Sequence, residues 1–138
     1  MRKKKTRSEA REAVIKILYQ LSIFKKANVS YDIDEVIKEV CPISNEFVNS
    51  LVYGILEKET SLDEVINHYL IDWKMERLNP VDQAIFRLGV YELQYTTTPS
   101  VVTINEAIEL AKKYSDEKVV KMLNGVMDQI YHNEEEKE

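Results

Sequence analysis

Apolar positions along this chain recur mostly at three- and four-residue steps, the spacing that lines one face of an α-helix, and strict apolar–polar alternation is scarce. The exception is the run NPVDQAIFRLGVYEL (79–93), where Val81, Ala84, Ile85, Phe86, Leu88, Val90, Tyr91 and Leu93 cover nearly the whole circumference. A helix apolar all round is buried on several sides, so the other elements are expected to pack around this one. Asn79 and Pro80 mark its start. Asparagine caps early helical N–H groups, and proline fits the first helical position, where a missing N–H costs nothing. Two residues interrupt the run. Arg87 needs a carboxylate from another helix, because burying an unpaired guanidinium carries a large desolvation penalty. Glu106 and Asp128 are the expected partners, with snorkelling to the surface as the alternative. Gly89 costs about 1 kcal/mol against alanine inside a helix, which a close helix crossing would offset.

The remaining pattern predicts about seven helices in all. A first helix starts near Ser8 and turns Ala10, Val14, Ile17, Leu18, Leu21 and Phe24 to one face. A short second helix over 32–40 buries Ile33, Val36, Ile37 and Val40 and stops at Pro42. Ser44 is expected to cap a third helix carrying Phe47, Val48, Leu51, Val52 and Ile55. Ser61 and Glu64 form a Ser-x-x-Glu capping box, which predicts a fourth helix with Leu62, Val65, Ile66, Tyr69 and Leu70 inward. Trp73 is placed to seal the joint before the central helix. Beyond that helix, Pro99 marks a turn, and Thr103 with Glu106 makes a second box opening a sixth helix with Ile104, Ala107, Ile108 and Ala111 inward. Ser115 and Asp116 punctuate, and a seventh helix carries Val119, Val120, Leu123, Val126, Met127 and Ile130. The turn-like pair Asn124-Gly125 lies inside its apolar spacing, and a tight crossing at Gly125 is the expected reason. Only three Gly and three Pro occur, so the fold class is all-α, in one domain over 1–138. A flexible basic arm (1–7) and a flexible acidic tail (133–138) are expected to flank it.

Charge changes this picture more than composition does. The chain carries a net −5, yet residues 1–16 hold seven basic residues against two acidic ones, a balance of +5 that leaves −10 for the rest. A basic arm on an acidic body suits a polyanion at one end and a basic partner elsewhere. Catalysis finds no support. There is no Gly-rich phosphate loop, no CxxC and no HExxH-like spacing for His68 and His132. The single cysteine, Cys41, has no local base, and it allows no intramolecular disulfide, which fits a cytoplasmic location. No cofactor, no metal site and no membrane span are expected, since no stretch approaches the roughly 20 apolar residues that a span needs.

Binding is better served. Arginines and lysines at the amino end suit phosphate contacts, which supply affinity but little sequence information. Reading single-stranded RNA adds stacking side chains and amide edges. Tyr69, Asn124 and residues opening the last helix, such as Lys121, are the candidates, with a core-edge tyrosine as the competing account of Tyr69.

Several stretches, in order and at consistent spacing, resemble the NusB family of transcription antitermination factors: AREAVIKILYQL (10–21), FVNSLVYGI (47–55), LNPVDQAIFRLGVYEL (78–93), VTINEAIELAKKYS (102–115) and LNGVMDQI (123–130). The resemblance implies two packed helix bundles and no catalytic activity. It implies binding to single-stranded boxA RNA of ribosomal RNA leader transcripts, together with the small-subunit ribosomal protein NusE, in an antitermination complex on RNA polymerase. It maps RNA contacts onto Lys3, Lys4, Lys5, Arg7 and Arg11, and a NusE surface onto Tyr19, Glu76 and Asp82. It also points to Met122, where family members often carry a phenylalanine that can stack on a base; methionine offers a more adaptable apolar contact. Some members self-associate, so a homodimer is a further expectation. Two alternatives remain: the related RNA-binding domain of ribosomal RNA cytosine methyltransferases, for which no cofactor domain follows residue 138, and a DNA-binding helix-turn-helix, which the acidic body disfavours.

Overall fold

The computed structural model describes residues 5–137, with side chains described for 5–133. Six α-helices follow in order: α1 (Arg7–Lys26), α2 (Ile33–Val40), α3 (Glu46–Tyr69), α4 (Pro80–Tyr95), α5 (Ser100–Tyr114) and α6 (Glu117–Lys137), with a 3-10 turn at Met75–Arg77 before α4. The packed groups are α1–α3 and α4–α6. Helix α4 joins them, touching α1, α3, α5 and α6. One continuous apolar core results, with Ile17, Leu51, Ile55, Leu62, Ile66, Phe86, Leu123 and Met127 among its fully buried side chains.

The central element forms as its sequence dictates. The Asn79 side-chain oxygen accepts from the Asp82 N–H at 2.8 Å, and Pro80 occupies the first turn. Its 16 residues span about 24 Å. Gly89 marks a close crossing: a Cβ there would lie 3.0 Å from Met127 Sδ and 3.1 Å from the Ala107 Cβ. Gly54 on α3 plays the same part opposite Tyr91, whose ring and hydroxyl would meet any added Cβ.

Six helices form rather than seven because the Ser61–Glu64 box does not start an element. Helix α3 runs unbroken through it for 24 residues. Leu51, Ile55, Leu62 and Ile66 are all buried, so one apolar stripe continues through the box and there is nothing to gain by stopping. Other starts shift too. Thr6 rather than Ser8 caps α1, in a reciprocal box with Glu9 that also pulls the Glu9 carboxyl below its ordinary range through the Thr6 hydrogen bonds. Asn45 rather than Ser44 caps α3. Helix α5 begins at Ser100, so Thr103 lies one turn inside, buried and with its hydroxyl unpartnered among the described residues. Asp116 caps α6 by accepting from the Val119 N–H at 2.9 Å.

Arg87 pairs with neither expected acid. It forms a two-pronged bond to Asp63, both contacts at 2.8 Å, with Glu59 at 3.4 Å. Both acids sit on α3, which packs directly on α4, whereas Asp128 is exposed on α6 and Glu106 is occupied elsewhere. Gly125 is exposed, and a Cβ added there would meet nothing within 4 Å, so no crossing explains it; Asn124-Gly125 simply continues α6. The acidic side chains beyond Asn133 lie outside the described residues. No helix among those described is long and apolar enough to cross a membrane.

Candidate functional site

The basic edge starts where α1 starts. Lys3 and Lys4 fall outside the described residues. Lys5 and Arg7 are exposed and make no ion pair among those described. They line an open groove of about 720 Å³ with Thr6, Ala10 and residues 42–47, which run from the α2–α3 link into the first turn of α3. The Arg7 guanidinium lies over the Phe47 ring, 3.9 Å from its centroid. Beyond this stack a second hollow runs along α3 past Asn49, Ser50 and Tyr53. Sequence reasoning misses Phe47 and Tyr53 as site residues. Phe47 has the spacing of an inward residue, and only its place just inside a helix cap, opposite a basic segment, hints at more.

Arg11, expected as a phosphate contact, is instead interior. It is 3% exposed and grips Glu92 of α4 with two bonds, 2.6 and 2.9 Å, while Glu106 of α5 stands 3.4 Å away. The Glu92 bond holds the guanidinium more firmly protonated. Arg11 thus ties three helices together and, buried among them, is out of reach of a ligand. Beside it, Ser8 Oγ donates to Glu106 at 2.6 Å, fixing the amino end of α1 against α5.

The other expected RNA contacts lie on α6 and the end of α3. Lys121 and Asn124 share one exposed face, while Met122 is half-buried against the core. Tyr69 is half-buried too, its hydroxyl accepting from the Asn133 side-chain amide. It lines a shallow hollow with Val65, His68, Gln94 and Ile130. Nine residues separate Asn124 from Asn133, about 14 Å along a helix. The structure therefore brings Tyr69 to the far part of α6, not to Asn124, and among the described residues neither group lines the Lys5–Arg7 groove.

The expected partner surface divides as well. Tyr19 is exposed and lines a mainly apolar groove of about 370 Å³ with Ile15, Lys16, Gln20, Val40, Val81 and Tyr114. Glu76 is exposed on the 3-10 turn before α4. Asp82 is not available to a partner: it is 5% exposed, and its carboxylate accepts from the Ser115 hydroxyl. Burial pushes that carboxyl above its ordinary range, against the opposing pull of the Ser115 bond, with Asp116 adding to the rise. Position 82 falls in the first turn of α4, on the side that meets the α5–α6 junction, where Ser115 holds it. On the rim of the Tyr19 groove, Lys113 and Tyr114 of α5 both hold Glu12 of α1, the lysine at 2.6 Å. Among the described residues no group of three His, Cys, Asp or Glu side chains could hold a metal.

Comparison with known proteins agrees with this architecture. The model of the NusB family matches residues 8–132. The chain is 40% identical over 128 residues to the transcription antitermination protein NusB of Macrococcus caseolyticus, covering 93% of this chain and 98% of that one. It is 42% identical over 126 residues to its counterpart from Campylobacter jejuni subsp. doylei, covering 89% and 93%. Among solved structures it resembles T. maritima NusB, with a TM-score of 0.82 at 33% identity over 94% of this chain and 93% of that one. It also resembles a chain from a crystal structure of antitermination factors NusB and NusE in complex with dsRNA, with a TM-score of 0.77 at 28% identity over 92% and 96%.

Proposed function

Because the chain belongs to the NusB family of non-catalytic transcription antitermination proteins, we propose that it binds the boxA element of ribosomal RNA leader transcripts jointly with NusE. The pair then enters the antitermination complex on RNA polymerase, in the cytoplasm. The observation that carries the RNA half is Lys5 and Arg7, exposed and without an ion pair among the described residues, beside an open groove. Arg11, buried and held by Glu92, offers phosphate no such access. Lys3, Lys4, Lys5 and Arg7 are the candidate phosphate contacts, and Tyr69, Lys121, Met122 and Asn124 are the candidate base contacts. The NusE half rests on Tyr19 in its apolar groove and on Glu76, exposed on the turn before α4. An aromatic anchor with a charged rim is the usual anatomy of a protein interface.

The test is binding to single-stranded boxA RNA over a salt series, with and without NusE. Three or four phosphate contacts give a log–log salt slope of about −2 to −3 for a single strand. NusE is expected to raise RNA affinity. A slope near zero removes the basic edge from the site, and no gain from NusE removes the shared surface.

A further inference from the structure

Resting on that reading, we infer that Arg7 serves as a flat stacking platform for one unpaired base of the RNA, held in place by Phe47, and not simply as a charge facing phosphate. Four observations meet here. The guanidinium lies 3.9 Å from the centroid of the Phe47 ring, and the Arg11 guanidinium stands 5.2 Å from the same ring. Arg11 is anchored by Glu92, so Phe47 packs against an immobile neighbour. Arg7 itself makes no ion pair among the described residues, although Glu46 lines the same groove. The groove it lines also sets apolar surface beside charge: Pro42, Ile43 and Phe47 stand with Lys5, Arg7 and Glu46, and Ile43 is 54% exposed.

Those walls select the ligand. A phosphate needs several donors, and Pro42 and Ile43 supply apolar surface instead. A nucleobase needs a flat π-acceptor and an apolar flank, and single-stranded RNA recognition stacks splayed bases on aromatic rings or on arginine planes. The volume of about 720 Å³ falls within the roughly 300–1,000 Å³ of sites that take small organic ligands. Lysine carries the same charge as arginine but has no plane, which makes the two roles separable. Phe47 is a positioning residue here. It keeps the guanidinium flat, sparing the RNA the entropic cost of ordering a long side chain.

The experiment measures affinity and salt slope for boxA RNA with the parent, Arg7→Lys, Arg7→Ala and Phe47→Leu. Single 2-aminopurine substitutions along the RNA report stacking by their fluorescence. Arg7→Lys is expected to lose roughly 5- to 150-fold in affinity, the range for loss of one base stack, with the salt slope unchanged. Phe47→Leu is expected to lose affinity in the same sense, again with the parent slope and with the parent far-UV circular dichroism and melting curve. One RNA position should be quenched by the parent and not by Arg7→Lys. If Arg7→Lys binds as the parent does while Arg7→Ala lowers the slope, Arg7 is a point charge and the inference fails while the RNA reading stands. If the Phe47→Leu melting curve collapses, Phe47→Tyr replaces it and must keep both affinity and quenching. A parent that does not bind boxA RNA at all overturns both the inference and the reading beneath it.

Discussion

Two arginines four residues apart on α1 show how burial assigns roles. Arg7 points into an open groove; Arg11 is sealed against Glu92. Helical spacing hinted only at the interior place of Arg11, which shares a stripe with Ile15 and Leu18, both buried; Arg7 falls on the same stripe one turn earlier, where α1 begins. A run of like charges at the amino end obscured it. An interior ion pair broken on one side leaves an uncompensated charge, which costs about 3–5 kcal/mol, whereas replacing both partners with apolar residues of similar size is often neutral. Arg11→Met should therefore be severely destabilised in urea unfolding, and adding Glu92→Leu should recover most of the loss. A cost under about 1 kcal/mol for the single change, the range of exposed pairs, would mean that water reaches the pair. Asp82 yields a pH prediction. Its carboxyl is raised by burial from the ordinary value of 3.8. A raised carboxyl contributes to folding fully below its unfolded value and loses that contribution as pH climbs through the folded one. Asp82→Asn escapes this loss, so its stability relative to the parent should be higher at about pH 7 than at about pH 3. An advantage that grows on acidification would reverse the sign and show the charged form to be favoured by the fold.

At the scale of elements, capping motifs were informative only where the apolar stripe also ended. Asn79-Pro80 was legible because the chain before it, through Trp73 and the 3-10 turn, breaks helical spacing. Ser61-x-x-Glu64 misled because the stripe of α3 runs straight through it, and a continuing helix satisfies the N–H groups that a cap would serve. The two sites should respond differently to the same substitution. Asn79→Ala should cost about 1 kcal/mol, the usual loss for an N-cap, while Ser61→Ala, an exposed change inside a helix to the best helix former, should be neutral or slightly stabilising. Equal losses in thermal melts would mean that α3 is two helices after all. Glycines were half legible. Gly89 meets Met127 and Ala107 at a true crossing, but Gly125 meets nothing. Sequence shows that a side chain is missing, not whether a neighbour fills the space. The partner of Arg87 was missed for a related reason: choosing Asp63 over Glu106 requires knowing which helices touch α4 and at what height.

At the scale of the whole molecule, both proposed surfaces hang on α1. Arg7 opens that helix, and Tyr19 lies twelve residues on, about 18 Å along the axis. Ion pairs to α4 and α5 fix the segment between them: Arg11 to Glu92, and Glu12 to Lys113. The basic end and the apolar groove are thus parts of one rigid strut, far enough apart for an RNA strand and a protein to bind without competing. The all-helical class and the central helix were readable from spacing. The groove beside Tyr19 was not, because Val40, Val81 and Tyr114 reach it from three other helices. An aromatic anchor of this kind typically dominates an interface, with truncation costing about 2 kcal/mol or more, which is near thirtyfold in affinity. Tyr19→Ala should therefore weaken NusE binding by roughly that factor. Since Tyr19 is 39% exposed and distant from the arm, the variant should melt like the parent and bind boxA RNA alone with unchanged affinity. What it should lose is the gain in RNA affinity that NusE confers at concentrations sufficient for the parent. If that gain survives while NusE affinity falls, the two ligands cooperate through contacts between themselves and not through this helix; if NusE affinity does not fall, the groove beside Tyr19 is not its docking site.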